Sequence, residues 1–88
     1  MTKINEAIDR IKALECPTGD IENRVAGILE DYGVAKRNNV NVVREDKLDR
    51  EGAQGYRAEI TNEGQSIVVL AEAGSDDYVA KVVNVYLK

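Results

Sequence analysis

Ile4, Ile8, Ile11 and Leu14, with Ala7 among them, recur three and four residues apart, which places them on one face of a helix. Thr2 is positioned to cap that helix, and Pro17 is expected to stop it after Cys16. A second stripe, Ile21, Val25, Ile28, Leu29 and Tyr32, predicts another helix. Thr18 or Asp20 is its N-cap, and Glu22 sits favourably in the first turn. Gly33 supplies the left-handed residue that ends a helix, with Val34 as the apolar contact after it. Residues 1–34 therefore read as an αα-hairpin with a short connection.

From residue 39 the period changes. Val40 and Val42 alternate with Asn39 and Asn41, and Tyr56, Ala58 and Ile60 alternate with Arg57, Glu59 and Thr61. Asn62-Glu63-Gly64 is a hairpin signal leading into Gln65–Ala73, the most apolar run and the expected central strand. Between the first two strands, Lys47 to Gly55 reads as a long charged loop. These features predict a three-stranded antiparallel sheet over 39–73.

The tail, 75–88, carries conflicting signals. Its valines favour a strand by propensity. Yet Asp77, Lys81, Asn84 and Lys88 step by helical intervals, with Val79, Val82, Val83, Tyr86 and Leu87 gathered opposite them. A regular strand would set Lys81 and Asn84 on opposite faces and bury one of them. Gly74-Ser75-Asp76-Asp77 reads as a turn, an N-cap and an acidic first turn. The pattern predicts a C-terminal helix, and hence an α+β domain spanning 1–88 in the order α-α-β-β-β-α, its helices covering one face of the sheet.

Length and charge narrow the classes. Eighty-eight residues suffice for one hydrophobic core and are too few for two. All four aromatic residues are tyrosines, so the core falls to Val, Ile, Leu and Ala. The longest apolar run, Ile67–Ala71, is far too short to span a bilayer, and Met1–Glu6 lacks the apolar stretch of a secretory leader. One lone cysteine argues against a disulfide scaffold. The expectation is a cytoplasmic protein without membrane association. Its net charge of −4 comes from interspersed acids and bases, a pattern that favours solubility and disfavours phosphate-rich partners.

The chemical inventory is thin. Without histidine the commonest neutral-pH base is missing, and Cys16, Ser66 and Ser75 have no base to activate them. Metal ligation would rest on carboxylates alone. With Gly52 set as the sixth residue of an EF-hand loop, Lys47 falls first and Ala58 twelfth, where acids are required. No phosphate-binding glycine motif occurs, so no cofactor, metal or enzymatic activity is expected.

The predicted three strands and last helix resemble the element order of the double-stranded-RNA-binding module. That module grips phosphate with lysines at the start of its last helix, where this chain has Ser75-Asp76-Asp77. Lys36-Arg37 is the only basic cluster, and it suits the negative end of the second helix. Nucleic-acid binding and small-molecule sensing thus stand as alternatives to the leading expectation, a stand-alone protein-interaction domain. Such a domain would act as an inhibitor or adaptor that occludes a site on a larger protein, as small phage and mobile-element inhibitors, anti-CRISPR proteins among them, do. Leu48, Arg50, Tyr56 and Arg57 are the candidate contact residues, and the two sheet edges make a homodimer a further expectation.

Overall fold

The computed structural model describes residues 3–61, 63–73 and 78–87. Among these, two helices and five strands follow one another: α1 (Lys3–Lys12), β1 (Glu15–Pro17), α2 (Ile21–Asp31), β2 (Val40–Arg44), β3 (Ala53–Ile60), β4 (Gln65–Ala73) and β5 (Val79–Leu87). The strands form one curled antiparallel sheet in the order β1-β5-β4-β3-β2. The expected α-α-β-β-β-α order is therefore wrong in two places.

The first correction is the tail. Val79–Leu87 is a strand paired with β4, not a helix. Asn84 lies opposite Leu70 and Val82 opposite Ala71, so Val83 is one extra residue, a β-bulge. The bulge resets the alternation. Lys81, opposite Glu72, and Asn84 then share the face turned away from the helices, so neither has to be buried. Ala80, Val82 and Val85 turn inward. Their spacing of two and then three residues is what imitates a helical stripe. The resemblance to the double-stranded-RNA-binding module ends here as well, since Val79–Leu87 is a strand where that module has its last helix. Ser75, Asp76 and Asp77 lie outside the described residues, as does Thr2.

The second correction is between the helices. α1 ends at Lys12 through tight closures, Ala13 N–H to Arg10 C=O (3.2 Å) and Leu14 N–H to Ile11 C=O (2.9 Å). It does not reach Cys16. The Leu14 carbonyl accepts the Val82 N–H (3.0 Å), and Glu15, Cys16 and Pro17 pair with Lys81, Ala80 and Val79. The two helices are thus joined by a sheet strand, and the αα-hairpin is replaced by an α-β-α passage. A long-range ladder has captured three residues that local periodicity assigned to a helix end.

The second helix follows its stripe, with Ile21, Val25, Ile28 and Leu29 buried. Asp20 occupies the N-cap position without a side-chain capping bond. At the other end Gly33 takes φ 73°, its N–H bonds Glu30 C=O (3.0 Å), and Val34 N–H bonds Leu29 C=O (2.9 Å). That pair of bonds is the Schellman motif. It turns the chain towards β2.

Both helices pack on one face of the sheet. Ala7, Ile8, Ile11, Val25 and Leu29 meet Tyr56, Ala58, Ile60, Ile67, Val69 and Val82 in the main core. β4 is central, and its opposite face is apolar too: Val68 and Leu70 pack with Leu48, Ala53 and the partly buried Tyr86 in a second cluster. Among the described residues no helix is long and apolar enough to cross a membrane.

Candidate functional site

The segment between β2 and β3 carries Leu48 and Arg50 of the expected contact residues, Tyr56 and Arg57 lying in β3 itself, and a polar lock folds it onto the sheet. Arg44, the last residue of β2, meets Asp49 in a bidentate pair (Nη1–Oδ1 2.8 Å, Nη2–Oδ2 2.9 Å). Arg44 Nη1 also donates to Gly55 C=O (3.0 Å), while Gly55 N–H donates back to Asp49 Oδ1 (2.8 Å). The guanidinium lies 5.7 Å from the centre of the Tyr56 ring, close enough for a cation–π contact. Lys47–Gly55 is accordingly no open loop. It holds part of a 3₁₀ turn (Asp46–Leu48), a bridge between Arg50 and Ala53, and the start of β3.

This lock has a consequence for acid stability. The Arg44 guanidinium, and then the Gly55 N–H, hold the Asp49 carboxyl below its ordinary value. A carboxyl depressed in the folded state stabilises the fold fully above its unfolded value, and that contribution is lost as pH falls through the lower folded value. Asp49→Asn is therefore expected to show a shallower loss of stability as pH falls from above the ordinary carboxylate value through the lower folded one. Urea midpoints across that range check it; parallel curves for the two proteins would count against the lock.

The four expected contact residues are brought near one another but do not form one surface. Leu48 is buried over Gly55, and Tyr56 is buried in the main core at 4% exposure, where burial pushes its hydroxyl pKa up. Arg57 is half-buried on the opposite face of β3 and paired with Glu45 (Nε–Oε2 3.4 Å). Arg50 alone is exposed, with Nη1 donating to Asp49 C=O (3.2 Å). Cys16 is buried in β1, and burial is the leading cause of its raised thiol pKa. A raised pKa means less thiolate and a weaker nucleophile.

On the outer side of the helices an open groove of about 410 Å³ is lined by Arg10, Asp20, Asn23, Arg24, Asp31, Tyr32 and Arg37 over a floor that includes Gly27. Arg37 is held there, its backbone N–H donating to Glu30 Oε2 (3.3 Å) and its Nη2 to Asn23 C=O (3.5 Å). The groove mixes both signs of charge. It offers hydrogen-bonding groups of both polarities.

The most distinctive feature was not singled out by the residue patterns: the free edge of β2. Two bonds define which backbone groups face β3, Glu45 N–H to Gly55 C=O (3.0 Å) and Thr61 N–H to Asn39 C=O (2.9 Å). Odd-numbered residues of this strand therefore point inward to the ladder, and Val40, Val42 and Arg44 point outward. The Val40 N–H turns back to Arg37 C=O. Among the described residues the N–H groups of Val42 and Arg44 have no backbone partner, nor have the carbonyls of Val40, Val42 and Arg44. A second groove of about 330 Å³ runs alongside, between β2 and α2, lined by Gly19, Glu22, Asn23, Ala26, Arg37, Val40 and Val42.

The other side of the sheet is covered in part. β1 covers Val79–Lys81, carries Pro17 at its end, and is three residues long. Leu14 takes the Val82 N–H, and the bulge at Val83 breaks the straight run beyond. Short edges, proline and bulges are the devices that block strand addition. β2 has neither proline nor bulge. Comparison with family models, with curated proteins and with solved structures returns no match for this chain.

Proposed function

We propose that this chain is a non-catalytic protein-interaction domain that takes up an extended polypeptide segment by antiparallel strand addition at β2. The observation that carries the reading is the outward row of unpaired backbone groups at Val40, Val42 and Arg44, on an edge without proline, bulge or lysine. Main-chain hydrogen bonds supply affinity in this mode, and pockets beside the edge select side chains. The groove between β2 and α2 is such a pocket, apolar at Ala26, Val40 and Val42 and charged at Glu22 and Arg37. A domain of this kind acts by occlusion: a partner strand held at β2 is withdrawn from its other contacts. That is how an inhibitor or adaptor without an active site works.

Selection of short random displayed peptides on the immobilised chain tests the reading. Peptides are expected to be enriched whose affinity drops about tenfold or more against Val42→Pro, which removes an outward donor and leaves the β3 ladder intact. No enrichment, or peptides indifferent to that substitution, would reject strand addition at β2.

A further inference from the structure

We infer that the segment taken up by β2 is β2 of a second copy of this chain, giving a two-fold dimer with a continuous ten-strand sheet. The inference rests on the strand-addition reading above and adds the identity of the occupant.

The backbone pattern is self-complementary. With the two-fold axis at Val42, each Val42 N–H faces the Val42 carbonyl of the other copy, and each Arg44 N–H faces the opposite Val40 carbonyl. The one outward N–H already used, that of Val40, is not required for any of these four bonds. An antiparallel arrangement about this residue therefore satisfies every outward N–H of the strand.

Charge selects the same arrangement. Lys36 and Arg37 precede β2, and Glu45 and Asp46, then Lys47, follow it, so that about Val42 Lys36 lies diagonal to Asp46 of the other copy while Arg37 meets Lys47. Antiparallel pairing brings the basic start of one strand to the acidic end of the other, twice per dimer. Parallel pairing would set like charges together. Lys36 is exposed, and the Asp46 side chain is 91% exposed, its only ion pair among the described residues being a 3.3 Å contact with an Arg44 already held by Asp49. Both are available to a neighbour. The groove beside β2 repeats the polarity, with Glu22 and Arg37 among its lining residues, and Val40 and Val42 give it an apolar floor that the second copy would cover.

The edge is only five residues long, so the buried area is small and the dimer is expected to be weak, with Kd about 10 µM. Low salt tightens it, since the paired charges sit at the rim.

Sedimentation velocity of the full chain over about 1–500 µM is the test. A concentration-dependent dimer is expected. Lys36→Glu and Asp46→Lys should each weaken it about tenfold, because each turns two attractions into two repulsions. An equimolar mixture of the two variants should recover association, now as a heterodimer. Val42→Pro should give a monomer, with circular dichroism reporting whether it keeps its fold. The charge variants decide the matter independently if it does not. A chain that is monomeric throughout overturns the second-copy inference, while peptide capture at β2 remains a separate measurement. A dimer untouched by the charge variants, or without recovery in the mixture, overturns it equally. If neither peptides nor a second copy engage β2, strand addition itself falls.

Discussion

Val82→Lys is expected to lower stability by about 3–5 kcal/mol, while Val83→Lys, one residue on, changes it by no more than about 0.5 kcal/mol. Val82 is 3% exposed and packs in the main core, whereas Val83 is the bulge residue and 47% exposed. An ammonium forced into the first site loses its hydration without gaining a partner, and the valine burial is lost with it. For a chain of this length the total stability is about 4–13 kcal/mol, so the Val82 variant loses a large share of it. Urea unfolding midpoints measure both. The pair of variants also discriminates between structures for the tail. A helix would set both valines on its inner stripe and make both substitutions costly. Equal damage would therefore remove the bulged strand from the account.

Gly55→Ala is expected to cost about 2–3 kcal/mol, which for a domain this small lowers Tm by about 8–24 °C. A Cβ at this position would overlap Leu48 Cβ and lie 2.9 Å from the Leu48 carbonyl carbon. Both are closer than atoms can sit, and one belongs to the backbone, so no rotamer change relieves the clash. The 3₁₀ turn carrying Leu48 has to lift. Lifting it uncovers Val68 and Leu70 and strains the Gly55 N–H to Asp49 bond. In a Leu48→Gly background the nearer obstacle is gone, and the added cost of Gly55→Ala is expected to shrink. Thermal unfolding of the two single variants and the double variant gives that coupling. Additive costs would show that the glycine is not there to admit the turn.

The parts of the fold that were legible came from patterns closed within a few residues. Ile21, Val25, Ile28 and Leu29 are all buried on α2, as their spacing predicts, and Gly33 and Val34 end that helix through the bonds expected of such a sequence. The apolar run of β4 is central, with both faces covered. The tail misled because a bulge shifts the alternation by one. A two-residue period interrupted once between Val82 and Val85 is, over so short a run, hard to tell from a helical one. Cys16 misled for a different reason: β1 is three residues long, and pairing with Val79–Lys81 is what makes it a strand.

The candidate contacts were legible as residue types and not as places. Leu48 among charges could lie on the core or face a partner, and the choice is made by Gly55, whose missing side chain admits the turn above it. Tyr56 alternates with polar neighbours, and that pattern identifies two faces without saying which of them the helices will cover. The free edge of β2 left a trace in the order of charges, basic before the strand and acidic after it, but an edge exists only once neighbours have been assigned.

By itself the chain of residues determined an α+β composition, the position and end of the second helix, the strongest strand, and an inventory with no histidine and one thiol. Tertiary structure alone decided that residues 15–17 and 79–87 are strands, that Leu48 and Tyr56 are buried, and that β2 is the edge left open. The division has one physical cause. Helix stripes and caps are satisfied by bonds three to five residues apart, which a local pattern records. Strand pairing is satisfied by groups far away along the chain, so whether a backbone donor is taken or left free is settled only when the whole sheet has formed.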